Sequence, residues 1–401
     1  MRILRLLAVC SAVALLAAQE GAPPASNGVW QKAMNAAQEA HEKGQYALAE
    51  KELRLALAEA EGFEINDPRL AGTLDRLITL YRTEGQPLQA EPYYHRLLGI
   101  QEGTYGPADL RLTPTLHGLG TLYTSFRKYD EAEAAFQRAL AIREKALGES
   151  HPEVAATLES LAGLYVAAAK FDQAEVSYTR ALAIREKAQG PEHLSLATTL
   201  DGMGVLYRDQ GKYPKAEPVY RRALFIREKA LGPDHADLVP TLDALAWLCY
   251  AQRKYSEAEP LYRRALVIWE KAVGPDHPTV AQALDNLAET YVKQEQYARA
   301  EPLYRRALSI RERTMLGSFD KLASVYVAQK RYPEAEALYQ RALSVAERRP
   351  RPDQTEIGMV LERYAQLLRL LERTDEARRM EARVAKIKER ADEERRKAEE
   401  P

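Results

Sequence analysis

At 401 residues and 46% hydrophobic content, the chain is long enough to bury a large core, and length alone suggests two or three globular domains. Its 57 basic and 58 acidic residues leave a formal net charge of -1. That balance excludes the basic excess expected of a nucleic-acid or anionic-membrane surface.

The N-terminus carries Arg2 and Arg5, an apolar run from Leu6 to Ala18, then Gln19-Glu20. A bilayer span needs about 20 residues, so this run reads as the core of a signal peptide over 1–18, cleaved after Ala18. Leu16 is large for the minus-three position. An uncleaved anchor is the alternative. A lipoprotein signal at Cys10 is a further one, disfavoured by bulky Val9 beside the cysteine. The expectation is export, to a periplasm or the exterior. The mature chain then holds Cys249 alone, so no internal disulfide can form. Residues 19–29, with Gly21, Pro23 and Pro24, read as a flexible linker.

From Trp30 onward one pattern repeats. Ala90-Glu91, Ala132-Glu133, Ala174-Glu175, Ala216-Glu217, Ala258-Glu259 and Ala300-Glu301 follow at steps of 42 residues. Ala49-Glu50 begins the series, Ala335-Glu336 arrives seven residues early, and Ala377-Arg378 ends it. Nine copies of one supersecondary unit define a repeat array, which overrides the domain count suggested by length. Each copy reads as two helices. Leu284, Leu287, Ala288 and Tyr291 share one helical face; after a break at Glu295-Gln296, Ala300, Tyr304 and Ala307 share another.

Small residues recur where helices would cross closely, as at Gly120, Ala162, Gly204, Ala246 and Ala288. Aromatic residues recur between them: Tyr81, Tyr123, Tyr165, Tyr207, Tyr291 and Tyr326 on first helices, and Tyr94, Phe136, Tyr178, Tyr220, Tyr262, Tyr304 and Tyr339 on second helices. This is a core stripe. The first pair, opened by Trp30 and rich in alanine, reads as a capping repeat. Joints between pairs lie at Gly148–Pro152, Gly190–His193, Gly232–His235 and Gly274–Pro278. Glycine suits the end of one helix and proline the first turn of the next. Near Thr314–Asp320 a seven-residue deletion removes the joint, and the helix pair is expected to survive it. Pro218, Pro260 and Pro302 fall within or just past the first turn of second helices, and the sequence leaves open whether they kink the axis. Residues 381–401 read as a charged, solvated helix or tail, which leaves 30–380 as the repeat array.

No chemistry-bearing constellation emerges. His151, His193, His235 and His277 sit one per joint, too far apart in a stack of helix pairs to share a metal, and read as helix caps. There is no GxSxG, HExxH, phosphate-binding glycine loop or CxxC pair. Cys249, at an aromatic position of its repeat, reads as a buried apolar residue. The sequence gives no reason to expect a cofactor, a metal or an enzyme.

The small and aromatic positions resemble those of the tetratricopeptide repeat. The 42-residue period, with RALxIxEKALGPDH and KYxEAEPLY, is similar to the kinesin light chain subtype. The resemblance implies an all-α, right-handed superhelical solenoid of about nine antiparallel helix pairs. It also implies a groove, lined by first helices, that binds peptides or proteins. Carried onto this sequence, one groove column reads Asp75, His117, Glu159, Asp201, Asp243, Asp285, Asp320 and Glu362. Kinesin light chains favour asparagine here and at the neighbouring site, which only Asn286 retains. The column also lacks the basic and asparagine side chains of the cochaperone carboxylate clamp.

An acidic column selects a basic extended segment, with Trp247 and Tyr250 as aromatic anchors. Two alternatives stand beside this. Arg221, Arg263 and Arg305 could neutralise the column, and the two aromatics could simply pack on the next first helix. The expected function is therefore a non-enzymatic protein- or peptide-binding scaffold. The alternative is a self-associating structural spacer of a cell envelope, with the charged tail as its strut.

Overall fold

The structure, a computed structural model, describes residues 27–328, 330–348 and 354–399. The expected signal peptide and most of the expected linker lie outside the described residues. The first helix starts at Asn27, so the last three residues assigned to the linker are helical. Among the described residues there is no strand, and no helix is long and apolar enough to cross a membrane.

Two compact units divide the chain, Met1–Ile226 and Arg227–Pro401, with the division inside helix Tyr213–Leu231. In the first unit, hairpins pair Asn27–Glu42 with Tyr46–Ala60, Pro68–Thr83 with Glu91–Tyr105, Thr113–Ser125 with Tyr129–Leu147, and Pro152–Ala167 with Phe171–Gln189. Ser195–Asp209 then leads into Tyr213–Leu231. The second unit holds Val239–Ala251 with Tyr255–Val273, and Pro278–Lys293 with Tyr297–Ala328. It ends with Tyr332–Glu347, which packs back on Tyr297–Ala328, and with Gln354–Leu370 paired to Thr374–Glu399. The fold class is all-α, built from antiparallel helix pairs as the repeat predicts.

Local chemistry explains where helices start and stop. Gly148, Gly190 and Gly274 end their helices at φ 86°, 90° and 91° with extended ψ, a region that only glycine enters without strain. Three residues later, His151 and His277 cap the next helix, whose first turn holds Pro152 or Pro278. Their Nδ1 atoms accept from the backbone N–H of Glu153 and Thr279 at 3.2 and 3.3 Å. His193 and His235 do the same for Ser195 and Asp237, so all four joint histidines are caps. Pro218, Pro260 and Pro302 fall inside their helices, in the second turn, where each deletes one backbone hydrogen bond without ending the helix. Pro92 is treated differently: a 3₁₀ turn over Pro87–Ala90 restarts the helix at Glu91, so Pro92 lies in its first turn.

The recurring Ala-Glu dipeptide has two jobs. Its alanine is fully buried at Ala49, Ala90, Ala132, Ala174, Ala216, Ala258, Ala335 and Ala377, where the helices of a pair touch. Its glutamate reaches the following first helix. Tyr81, Tyr165, Tyr207, Tyr291 and Tyr364 donate their hydroxyls to Glu50, Glu133, Glu175, Glu259 and Glu336 at 2.8–3.0 Å. A cation further along completes four of these braces: Lys170, Lys215, Arg299 and Arg373. A second series runs from arginines on second helices to the carbonyl of the preceding joint. Arg222, Arg264 and Arg306 donate to Pro191, Pro233 and Pro275 at 3.0, 2.7 and 3.0 Å.

The aromatic stripe is buried as expected, with two departures: Tyr326 is only half-buried and Tyr304 is exposed. Gly120 shows why the facing position stays small, because a Cβ there would lie 2.7 Å from the Phe136 ring. At the deletion the expectation of two joined helices fails. Helix Tyr297–Ala328 runs 32 residues without a break. The seven missing residues include the glycine-to-histidine stop that ends four earlier second helices, as at Gly232–His235 and Gly274–His277, and Gly317 alone does not stop the chain. The last helix also departs from a solvated tail. Val384 is buried, Ile387 packs beside it, and Arg383 pairs with Glu347. The break expected at residue 381 is therefore absent from the helix Thr374–Glu399.

Since Ala258 has no room to grow, Ala258→Leu overpacks its hairpin. The expected loss is about 1–3 kcal/mol of unfolding free energy, measured by the shift in urea midpoint at unchanged m-value.

Candidate partner-binding face

The acidic column does not act as a uniform surface, because second-helix residues decide the state of each carboxylate. Glu159 is clamped by Arg185, whose Nε and Nη2 donate to its two oxygens at 2.7 Å each. The hydroxyl of Thr199 also bonds to it. Asp285 pairs with Arg311 through one bond, from Nη2 to Oδ2, at the same separation of 26 residues. Asp320 lies 3.9 Å from Arg363 Nε, an ion pair too long for a hydrogen bond. Asp75 is exposed and Asp201 half-buried. Asn286 accepts from Gln282 on its own helix at 3.0 Å. His117 Nε2 is hydrogen-bonded to Ser160 Oγ at 2.8 Å, and burial first, then the charges of Arg143 and Arg82, push its pKa below the usual value.

The arginines expected to neutralise the column are engaged elsewhere. Arg221, Arg263 and Arg305 pair with Glu217, Glu259 and Glu301 one turn back on their own helices. Neutralisation comes instead from the arginine of the IREK motif. Ile-Arg occurs at Arg143, Arg185, Arg227 and Arg311, and the same position holds Gln101 and Trp269 in two other copies. In three copies the residue at this position also reaches a threonine of the following first helix, two residues before that helix's column position. Arg143 donates to Thr157 at 2.6 Å, Arg227 bonds Thr241, and Thr115 donates to Gln101 at 2.8 Å.

Asp243 is the consequence. Its counterpart of Arg185 is Trp269, which packs against the hydrophobic core instead of offering a cation. Asp243 Oδ1 is buried with no hydrogen-bond partner, and burial pushes the carboxyl up to about 6. The same charge, after burial, raises the Tyr262 phenol. One turn along the helix stands Trp247, 42% exposed. Tyr250 is half-buried and donates to Glu289 Oε1 at 2.6 Å, while its ring meets Tyr255 edge-on at 5.5 Å. So Tyr250 does bridge to the next first helix, and Trp247 stays partly exposed. Helical spacing places Asp243, Trp247 and Tyr250 on one side of Val239–Ala251.

Of the predicted residues, then, Glu159 and Asp285 are internally neutralised, Asn286 accepts a hydrogen bond on its own helix, and Asp243 and Asp320 each keep a buried Oδ1 without a hydrogen-bond partner. Among the described residues no group of three His, Cys, Asp or Glu side chains could hold a metal ion. Cys249 is buried within the core. An open hollow lies between Glu64–Asn66 and Gly99–Thr104, away from the column.

Helix pairs with buried alanines at the crossing and tyrosines between layers define a repeat scaffold. The family model for the tetratricopeptide repeat matches residues 69–145, 114–187, 153–229, 195–266, 250–313 and 314–390. The chain belongs to the tetratricopeptide repeat family. No curated protein matches it. Among solved structures, it is similar to nearly identical TPR-like repeats assigned to a kinesin light chain of Podosopora anserina. That match has 24% identity and a TM-score of 0.46, covering 52% of this chain and 97% of that one. A tetratricopeptide repeat protein from Parabacteroides merdae shares 18% identity at TM-score 0.47, covering 71% and 93%. Aspartyl phosphate phosphatase F from Bacillus subtilis shares 15% at TM-score 0.48, covering 92% and 96%.

Two substitutions separate clamped from unclamped carboxylates. Arg185→Met strands Glu159 without its counter-charge and is expected to cost about 3 kcal/mol at neutral pH, read from urea unfolding. Asp243→Asn has the opposite effect. The folded-state pKa of about 6 lies above the unfolded 3.8, so Asp243 favours folding only while protonated. That contribution is fully present below about pH 4 and is lost as pH rises through about 6. The variant therefore matches wild type at low pH and exceeds it, by on the order of 2–3 kcal/mol, above that window.

Proposed function

We propose that the chain is a non-enzymatic scaffold that binds an extended, basic segment of a partner protein along its first helices. The contact is centred on Asp243, Trp247 and Tyr250. What carries this reading is the Asp243 carboxylate, which the repeat leaves without the arginine that Glu159 and Asp285 receive. A lysine or arginine side chain supplies the missing counter-charge, and the exposed part of the Trp247 ring takes its aliphatic stem or its guanidinium plane. The rigid helix pair loses little conformational entropy on binding.

Cation binding draws the proton from Asp243, so affinity for a basic peptide rises with pH through about 6. Titrating the full chain against a lysine- and arginine-containing peptide library tests this. Asp243→Asn is expected to weaken the selected peptides by about tenfold or more and to abolish the pH dependence. Unchanged affinities, with no effect of salt, would refute the reading.

We further propose that the chain acts after export, a reading supported by Arg2, Arg5 and the apolar run Leu6–Ala18. The intact mass of protein expressed with its native N-terminus should then correspond to a chain beginning at Gln19. A full-length mass would count against cleavage.

A further inference from the structure

The deletion that fuses two helices has a second effect. In the regular copy one period earlier, Tyr262 and Leu266 on a second helix pack with Leu287 on the following first helix, in one buried cluster. Their counterparts are Tyr304, Leu308 and Leu322. Exposure rises from 5% to 40% at the tyrosine, from 7% to 52% at the first leucine and from 3% to 43% at the second. The reason is geometric. Two surfaces that normally fold onto each other across a joint now lie end to end on one continuous helix, so neither can reach the other.

Tyr297 and Met315 are exposed as well. At 100° per residue, Tyr297, Tyr304, Leu308, Met315 and Leu322 form a single line along helix Tyr297–Ala328, about 37 Å long. Their spacings of seven, four, seven and seven residues keep the stripe on one face, as a seven-residue repeat does in a helix–helix seam. The line is also symmetric along the chain. Tyr297 and Leu322 are equidistant from the point between Ser309 and Ile310, and so are Tyr304 and Met315.

We propose that this stripe is the interface of a twofold dimer, in which helix Tyr297–Ala328 of a second copy of the chain lies antiparallel on it. A twofold axis beside Ser309–Ile310 sets Tyr297 against Leu322 of the other copy and Tyr304 against Met315. Each copy thereby covers the surface that its own chain can no longer fold back upon, which is the logic of exchanging an element between protomers. Charge agrees with the register. Arg305 and Glu312 lie on the same flank of the stripe, and the twofold brings Arg305 of one copy within about one helical turn of Glu312 in the other. Arg305 is well exposed, holding only the intrahelical pair with Glu301.

Sedimentation velocity on the full chain tests the proposal. Wild type should show a concentration-dependent monomer–dimer equilibrium. Leu308→Glu, on the exposed line, should weaken it by at least about tenfold in dissociation constant while leaving the helical circular dichroism signal intact. Arg305→Glu and Glu312→Arg should each weaken the dimer, and the double variant should restore it. That restoration depends on the antiparallel register and would decide the matter even if Leu308→Glu disturbed folding. A wild type that stays monomeric overturns the proposal and leaves the stripe to a different partner. A dimer that survives all three single substitutions, or one lost on removing residues 388–401 instead, overturns it as well.

Discussion

Everything in this fold depends on how closely two helices can approach at one alanine. Ala174, Ala216 and Ala258 are fully buried at the crossing of their hairpins, and the close approach sets where the tyrosines fall and how far the neighbouring glutamate reaches. From that position Glu175 or Glu259 meets a tyrosine hydroxyl of the next first helix and a cation beyond it. A dipeptide repeated along the chain thus specifies both the packing inside a pair and the stacking of the next pair upon it.

The same economy governs the acidic column. A carboxylate facing a groove invites a reading as a binding feature, yet most of this column is occupied by the protein itself. Arg185 and Arg311 show that the IREK arginine belongs to the stacking apparatus, tying a second helix to the first-helix column before it. At Asp243, as at Asp75, that arginine is missing. Trp269 replaces the arginine, Asp243 loses its counter-charge, and burial then raises its pKa to about 6. A single change in a repeated motif converts a structural ion pair into an unmet electrostatic demand.

Much of this was legible in the sequence because repetition makes spacing visible. The Ala-Glu period located the hairpins, the joint histidines read correctly as caps, and Cys249 read correctly as core. Side-chain reach is what spacing does not encode. Arg221 and Arg263 looked suited to the column, but each finds a glutamate one turn away, where an intrahelical partner needs no tertiary alignment. The telling signal was present and overlooked: VIWEK in place of the IREK of the three preceding copies. The deletion misled for a different reason. Removing a loop was taken to shorten a connection, but without its glycine and proline stop signals the chain has no cause to leave the helix. Charge content likewise suggested a solvated helix, although Val384 and Ile387 recur at the spacing of a packed face.

The Tyr–Glu braces carry a mechanical consequence. The direct links Tyr81–Glu50, Tyr165–Glu133 and Tyr207–Glu175 span only 31 or 32 residues, so within a unit the ties join immediate neighbours and skip none. Contacts that local require little loop closure, which favours rapid assembly from any nucleated hairpin. Under tension from its termini, such a unit would give way one hairpin at a time, each rupture lengthening the molecule while the hairpins behind it stay folded.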